Sequence, residues 1–271
     1  MKILLLQSDI AWCNPRTNSV ENQNLIAKTI SQTEGQLVDM ILLPEMFSTG
    51  FCVEPQGVAE RDNFSLKWMQ QIAKQYDCVV VGSVAVEENE AEVKYFNRQF
   101  FVYPDTSYVH YDKRHLFSYG GEHNFYSAGN QRVIAEWRGW KILLQTCYDL
   151  RFPVFSRNHV FGDLSQCCDY EYDMAIYLAS WPKSRISAWD TLLKARAIEN
   201  QSFVIGLNRV GSDNNSIYSG NSAVIDFKGR VIESCSQSGE AEAIVAELDK
   251  GELDKFRAKF PTLIDDTDCR F

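Results

Sequence analysis

Long apolar runs are missing from this chain, and so is any excess of basic charge. The first stretch, Met1-Lys2-Ile3-Leu4-Leu5-Leu6, is broken by Gln7 and Asp9 before it reaches the length of a secretory h-region, and no later run is long enough to span a bilayer. Lys and Arg total 27 against 36 Asp and Glu, a formal net charge of −9 at pH 7, and no local Lys/Arg cluster supplies a basic footprint. That balance argues against nucleic acid or an anionic membrane as a partner. Histidine is scarce: His110, His115, His123 and His159 are the whole complement, and none sits in the pattern of a Cys-His protease. The eight cysteines, at 13, 52, 78, 147, 167, 168, 235 and 269, show no C-x-x-C spacing, so neither a zinc site nor a disulfide framework is indicated. There is also no fixed-period repeat, low-complexity tract or Pro/Gly/Ser linker. The expectation is one cytoplasmic α/β domain over residues 1–271 with reduced thiols and no metal or organic cofactor.

Short, continuously apolar segments recur along the chain: Lys2 to Gln7, Met40 to Leu43, Cys78 to Val84, Lys141 to Thr146, Asp173 to Ala179 and Ser202 to Leu207. Continuous rather than alternating runs are what strands covered on both faces require. Helical spacing predicts helices over Val20 to Gln32, Ser65 to Tyr76 and Ser184 to Gln201, the last with Ser184 as N-cap. Tyr95 to Tyr111 and Ser222 to Leu248 read instead as antiparallel hairpins, with turns at Pro104-Asp105 and Lys228-Gly229-Arg230. The segment after Gly251 is expected to form a terminal helix and an arm packed on a neighbouring subunit.

Cys147 closes one of the strand-like runs and is followed by Tyr-Asp-Leu-Arg-Phe-Pro. At the carboxyl end of a parallel strand, ahead of a helix, backbone N–H groups and the helix dipole favour thiolate over thiol. The plain alternative is a small buried hydrophobe. A nucleophile needs a base, and Glu45 emerges straight after the strand Ile41-Leu42-Leu43-Pro44, where apolar surroundings would raise its pKa into the useful range. A tetrahedral intermediate needs a donor for its oxyanion, which Lys113, in Tyr111-Asp112-Lys113-Arg114-His115-Leu116-Phe117, can supply while also favouring thiolate. Glu122, just past Gly120-Gly121, could hold that lysine or act as a second carboxylate. Each of these charges alone also reads as an ordinary solvated side chain.

In this order, Pro-Glu-Met-Phe, Lys-Arg-His-Leu-Phe and Cys-Tyr-Asp-Leu-Arg-Phe-Pro resemble the three catalytic blocks of the nitrilase superfamily of carbon-nitrogen hydrolases. Trp181-Pro182, Ala195 to Gln201 and Asn208-Arg209-Val210-Gly211 resemble its later blocks, so the likeness covers nearly the whole chain. The resemblance implies a four-layer α-β-β-α sandwich, a homodimer or higher homo-oligomer, Cys147 as nucleophile, Glu45 as general base and acid, Lys113 with the Tyr148 backbone N–H as oxyanion donors, and Glu122 beside the site. Phe-Ser-Thr-Gly-Phe after Glu45 and Phe117-Ser118-Tyr119-Gly120-Gly121-Glu122 look most like the omega-amidase group, which releases ammonia from the terminal amide of 2-oxo acids such as 2-oxoglutaramate and 2-oxosuccinamate. Residues 162–172, with Cys167 and Cys168, look longer than the usual link.

A small 2-oxo acid amide would need donors for its carboxylate, and Arg151, Tyr119, Tyr126 and Arg185 are the candidates, with Trp181 and Phe117 walling the pocket. Arg151 has a structural alternative, an ion pair with Asp149 two residues earlier. Arg196 and Glu199, three apart on a predicted helix, read as a local pair. The competing functions are another hydrolase of the superfamily (a carbamoyl-amide hydrolase, aliphatic amidase or nitrilase) and, in a different class, a non-catalytic ligand-binding sandwich. Ammonia release from an amide panel separates all of these.

Overall fold

In the computed structural model, which describes residues 1–32, 37–89, 92–161, 169–236 and 239–265, β1 (Lys2–Gln7) leads to α1 (Pro15–Gln32), β2 (Met40–Leu42) and α2 (Phe64–Tyr76). The strands β3 (Val79–Asn89), β4 (Val93–Val102) and β5 (Tyr108–Asp112) form an antiparallel meander. Next come β6 (Ile134–Trp137), β7 (Trp140–Thr146), the one-turn α3 (Pro153–Ser156) and a small hairpin of β8 (Val160–Phe161) and β9 (Asp169–Tyr170). The last third holds β10 (Met174–Ala179), α4 (Ile186–Glu199), β11 (Phe203–Asn208), a hairpin of β12 (Val210–Ser212) and β13 (Ile217–Ser219), β14 (Ala223–Ile225), β15 (Val231–Ser234), β16 (Glu242–Glu247) and α5 (Lys250–Lys259).

Two six-stranded sheets result, ordered β16-β1-β2-β3-β4-β5 and β15-β14-β11-β10-β7-β6. The alternation of β1 shows why its sequence is apolar at every position. Ile3 and Leu5 point between the sheets, where they join Ile142, Leu144, Ile176 and Ile205 of the second sheet. Leu4 and Leu6 point the other way, onto Ile26 of α1 and Leu66, Met69 and Ile72 of α2. The second sheet repeats the arrangement, with Ala175, Tyr177 and Val204 facing Trp189, Leu193 and Ala197 of α4. Side chains with period two and apolar cover on both faces make the α-β-β-α sandwich. Each Leu or Ile so enclosed contributes roughly 2 kcal/mol.

Two expectations change. Ser184 does not cap α4: it lies inside a 3-10 turn, Lys183–Arg185, just after Pro182, and the helix starts at Ile186. Ser222 to Leu248 is not one hairpin. β14 and β15 pair with each other, but β16 crosses to the first sheet and runs antiparallel to β1, Lys2 opposite Glu247. The terminal helix α5 packs on its own chain, with Leu253 fully buried and the Arg257 guanidinium 2.9 Å from Asp173; the end of the expected arm, residues 266–271, lies outside the described residues, as do Cys167 and Cys168. Among the described residues no helix is long and apolar enough to cross a membrane.

Strand direction decides where chemistry can collect. β2 and β3 are parallel, and the double reversal through β4 sends β5 the same way, so Glu45 beyond β2 and Lys113 beyond β5 emerge at one end of the first sheet. In the second sheet β7 and β10 are parallel and end at Cys147 and Ser180. Face-to-face packing brings the two ends together.

Candidate active site

Glu45, Lys113 and Glu122 converge in an enclosed cluster, their side chains wholly inaccessible. The Lys113 ammonium donates to Glu45 Oε1 at 2.9 Å and to Glu122 Oε1 and Oε2 at 3.1 and 2.9 Å. Phe51 lies under it, its ring centre 5.2 Å from Nζ. Burial alone would push the lysine pKa down, but the charges of Glu122 and Glu45 outweigh it and hold it well above the ordinary value. Burial raises the Glu122 carboxyl, partly offset by Lys113. Glu122 sits between two short 3-10 turns and also accepts the Phe117 N–H at 2.6 Å. Both of its carboxyl oxygens thus face the Lys113 ammonium.

The setting of Glu45 is polar, not apolar as its sequence neighbours suggest. Besides Lys113 it accepts from Asn97 Nδ2 at 2.8 Å and, on Oε2, from the Ser180 N–H at 2.7 Å. These donors come from β4 and from the end of β10, so no local reading of residues 41–47 contains them. The residue after Glu45, Met46, has φ 47°, as does Cys147. Left-handed backbone at a residue with a side chain costs about 1 kcal/mol or more and persists only where the surroundings enforce it. At Cys147 it turns the chain sharply out of β7 and sets the thiol on the pocket floor.

The turn is locked by Asp149. Its carboxylate accepts the Thr146 N–H at 2.9 Å, the Thr146 side chain accepts the Asp149 N–H in return, and the remaining lone pairs take Tyr111 Oη at 2.7 Å and the His115 N–H at 3.0 Å. The His115 ring stands 2.7 Å from the same carboxylate. One buried side chain thus ties the Cys147 turn to both flanks of Lys113. This also overturns the expected Arg151–Asp149 pair: Asp149 is already saturated, and Arg151 lies over the Trp181 ring at 4.9 Å.

The thiol itself departs from expectation. Cys147 opens a 3-10 turn, Cys147–Arg151, and α3 beyond it is only four residues long, too little helix for a useful dipole. Desolvation and the negative charge of Glu45, to which the thiol is hydrogen-bonded, push its pKa well above the usual range, and the opposing pull of Lys113 does not compensate. Burial and Glu45 together thus favour the thiol form of Cys147. Alkylation by iodoacetamide at neutral pH is expected to run at least about tenfold slower than that of a free cysteine, since one pKa unit is tenfold in thiolate. Glu45→Gln should speed this alkylation while turnover collapses; a wild-type rate equal to that of free cysteine would contradict the geometry.

Above the thiol opens a cavity of about 430 Å³ lined by Phe117, Tyr119, Tyr148, Arg151, Trp181 and Arg185, among others. Five of the six substrate-contact candidates therefore line it. Tyr126 does not: its ring packs with Met46 and Ala85, and its hydroxyl donates to the Cys52 carbonyl at 2.7 Å. The 3-10 turns at 118–124 rotate it into the core despite its closeness in sequence to Glu122. Arg185 lies over Phe117 and Tyr119, at 5.1 and 5.9 Å, and its carbonyl accepts the Trp181 indole N–H at 2.9 Å. Among the described residues neither Arg151 nor Arg185 has a carboxylate partner within 4 Å. Arg196 and Glu199 do form their local pair, at 2.8 Å. The hairpin β12–β13 adds Asp213 and Tyr218 to the lining, unforeseen from sequence, because only the sheet packing brings that hairpin to the mouth.

Two sheets that bury a Glu-Lys-Glu cluster against a strand-end cysteine define a carbon-nitrogen hydrolase fold and site, and comparison with known proteins agrees. The chain belongs to the carbon-nitrogen hydrolase family, whose model matches residues 9–258. It is an amidase: it is 41% identical over 266 residues to the omega-amidase YafV of Yersinia enterocolitica, covering 98% of this chain and 96% of that one. It is 33% identical to the 2-oxoglutaramate amidase of Bacillus subtilis, covering 97% and 96%. Among solved structures, the CN-hydrolase superfamily protein XC1258 of Xanthomonas campestris, crystallised with an arsenic adduct in its active site, aligns with a TM-score of 0.87 at 37% identity over 98% of this chain and 96% of that one.

Proposed function

We propose that this amidase hydrolyses the terminal amide of small 2-oxo dicarboxylic acid monoamides, 2-oxoglutaramate and 2-oxosuccinamate, to the acid and ammonia. The observation that carries this reading is the pair of guanidinium groups, Arg151 and Arg185, held over pocket aromatics beside Cys147 with no carboxylate partner among the described residues. A small anionic substrate supplies the missing charge. The omega-amidase and 2-oxoglutaramate amidase relatives support the same substrate class.

In this mechanism Glu45 takes the thiol proton as Cys147 attacks the amide carbon. The resulting oxyanion is held by Lys113 and by the Tyr148 N–H, which stands in the first turn after β7 where helical N–H groups lack an internal partner. The protonated Glu45 then gives its proton to departing ammonia, leaving a thioester on Cys147. Glu45, ionised again, takes a proton from water as that water attacks the thioester, and the thiol is restored when the acid leaves. All protons of the Lys113 ammonium are engaged by carboxylates at rest, so Lys113 acts as a fixed positive charge throughout.

Ammonia release from 2-oxoglutaramate, simple aliphatic amides, N-carbamoyl amino acids and nitriles tests the assignment, and preference for either of the last two would sink it. Arg151→Ala and Arg185→Ala are each expected to raise KM for 2-oxoglutaramate by about 10-fold or more, the worth of one charge-assisted hydrogen bond. Turnover of an uncharged aliphatic amide should change less than threefold. Equal losses on both substrates would mean that the arginines only support the pocket wall.

A further inference from the structure

The two buried carboxylates share a second donor besides Lys113. Asn97, in the middle of β4, donates from Nδ2 to Glu45 Oε1 at 2.8 Å and to Glu122 Oε1 at 3.2 Å. An amide has an acceptor end as well, and if it were reversed an oxygen would face two carboxylates. Its orientation is fixed from behind. Ser83 Oγ on β3 donates to Asn97 Oδ1 at 2.8 Å, and that hydroxyl accepts the N–H of Met46 at 3.0 Å. Because the Met46 N–H can only donate, the hydroxyl proton must go to Asn97, and the amide N–H groups must go to the carboxylates. The Asn97 backbone carbonyl also accepts the Lys113 N–H at 2.9 Å, so the same residue anchors the lysine's backbone. All of these side chains are buried, so water does not take over their role.

We infer that Asn97 is a positioning residue for the hydrolytic reaction, aimed by Ser83, whose neutral amide holds the Glu45 side chain in line with Cys147. Lys113 divides its protons between two carboxylates, and the Ser180 N–H reaches only Glu45 Oε2, so Asn97 is the neutral donor to Oε1. A neutral second donor stabilises Glu45 without adding a positive charge that would bind it too firmly to accept a proton. The residue touches neither substrate nor thiol and works through Glu45. This inference rests on the assignment of Glu45 as base, not on which amide is the substrate.

The test compares Ser83→Ala and Asn97→Asp with wild type, using 2-oxoglutaramate or, if wild type does not turn it over, whichever member of the amide panel it hydrolyses best. In the second case the substrate assignment has failed while Asn97 is still tested. Ser83→Ala frees the amide to reverse, and Asn97→Asp replaces a donor by an acceptor of the same shape. Both should lower kcat, roughly 10-fold and 100-fold respectively, with KM within threefold, and both should move the acid limb of the pH profile upward by about one unit, the size expected for a lost hydrogen bond to a charged group. A merely structural role would lower the folded fraction without moving that limb. Should Asn97→Asp not fold, the Ser83→Ala profile decides alone. A folded variant with a wild-type pH profile and kcat overturns the inference.

Discussion

Cys147→Ala is expected to abolish ammonia release, with kcat down on the order of 10⁴-fold or more, as when a covalent nucleophile is removed from a hydrolase whose binding site remains. Binding should survive. The pocket aromatics and both arginines stay in place, so the variant is expected to hold 2-oxoglutaramate with a Kd near the wild-type KM, measurable by calorimetry. Its fold should also persist, since alanine keeps an apolar side chain against the core and Lys113, Asn97 and Ser180 still hold Glu45. Residual turnover within tenfold of wild type would mean that the reaction uses another nucleophile.

Lys113→Met is expected to damage stability and catalysis together. It leaves Glu45 and Glu122 buried without their cation, and removing one partner from a buried ion pair commonly destabilises by about 3 to 5 kcal/mol. Chemical denaturation should show a lowered midpoint with an unchanged slope. Any folded fraction should have kcat reduced about 10²-fold or more through loss of oxyanion stabilisation. The pH dependence adds a check. The lysine pKa is raised in the folded protein, so its stabilisation is fully present below the unfolded value of about 10.4 and is lost as pH rises through the folded value. Wild-type stability should therefore fall in the alkaline range above about pH 10 more steeply than that of Lys113→Met. A neutral-pH stability equal to wild type would show that the buried carboxylates do not need this charge.

The three residues at strand ends were legible because the sequence itself marks such positions: Glu45 and Cys147 each come after a short apolar run that stops abruptly, and Lys113 follows the hairpin strands. Strands covered on both faces were legible from runs that are apolar at every position, whereas the four-layer sandwich was implied only by the resemblance to the nitrilase superfamily. Asn97 and Ser83 were not legible, because a polar residue within a strand signals only that something must satisfy it. Of the carboxyl partners of Asn97, Glu45 lies 52 residues away and is reached only through the pairing of β2 with β3 and of β3 with β4. The thiolate expectation failed in the same way. Residues 141–152 contain the turn but not Glu45, which arrives from the other sheet and reverses the sign of the effect on the thiol. Tyr126 was misplaced by two 3-10 turns whose rotation no periodicity announces. Asp149 was read as a neighbour for Arg151, although its partners Tyr111 and His115 come from the strand and loop that carry Lys113.

The central claim is that an acyl group passes through Cys147. Rapid acid quench of the enzyme during turnover of 2-oxoglutaramate, followed by peptide mass analysis, measures it directly. One 2-oxo acyl group should appear on the peptide containing Cys147, and that adduct should disappear once substrate is exhausted. Steady hydrolysis of 2-oxoglutaramate with Cys147 unmodified at every quench time, under conditions in which added hydroxylamine also traps no acyl product, would contradict the account.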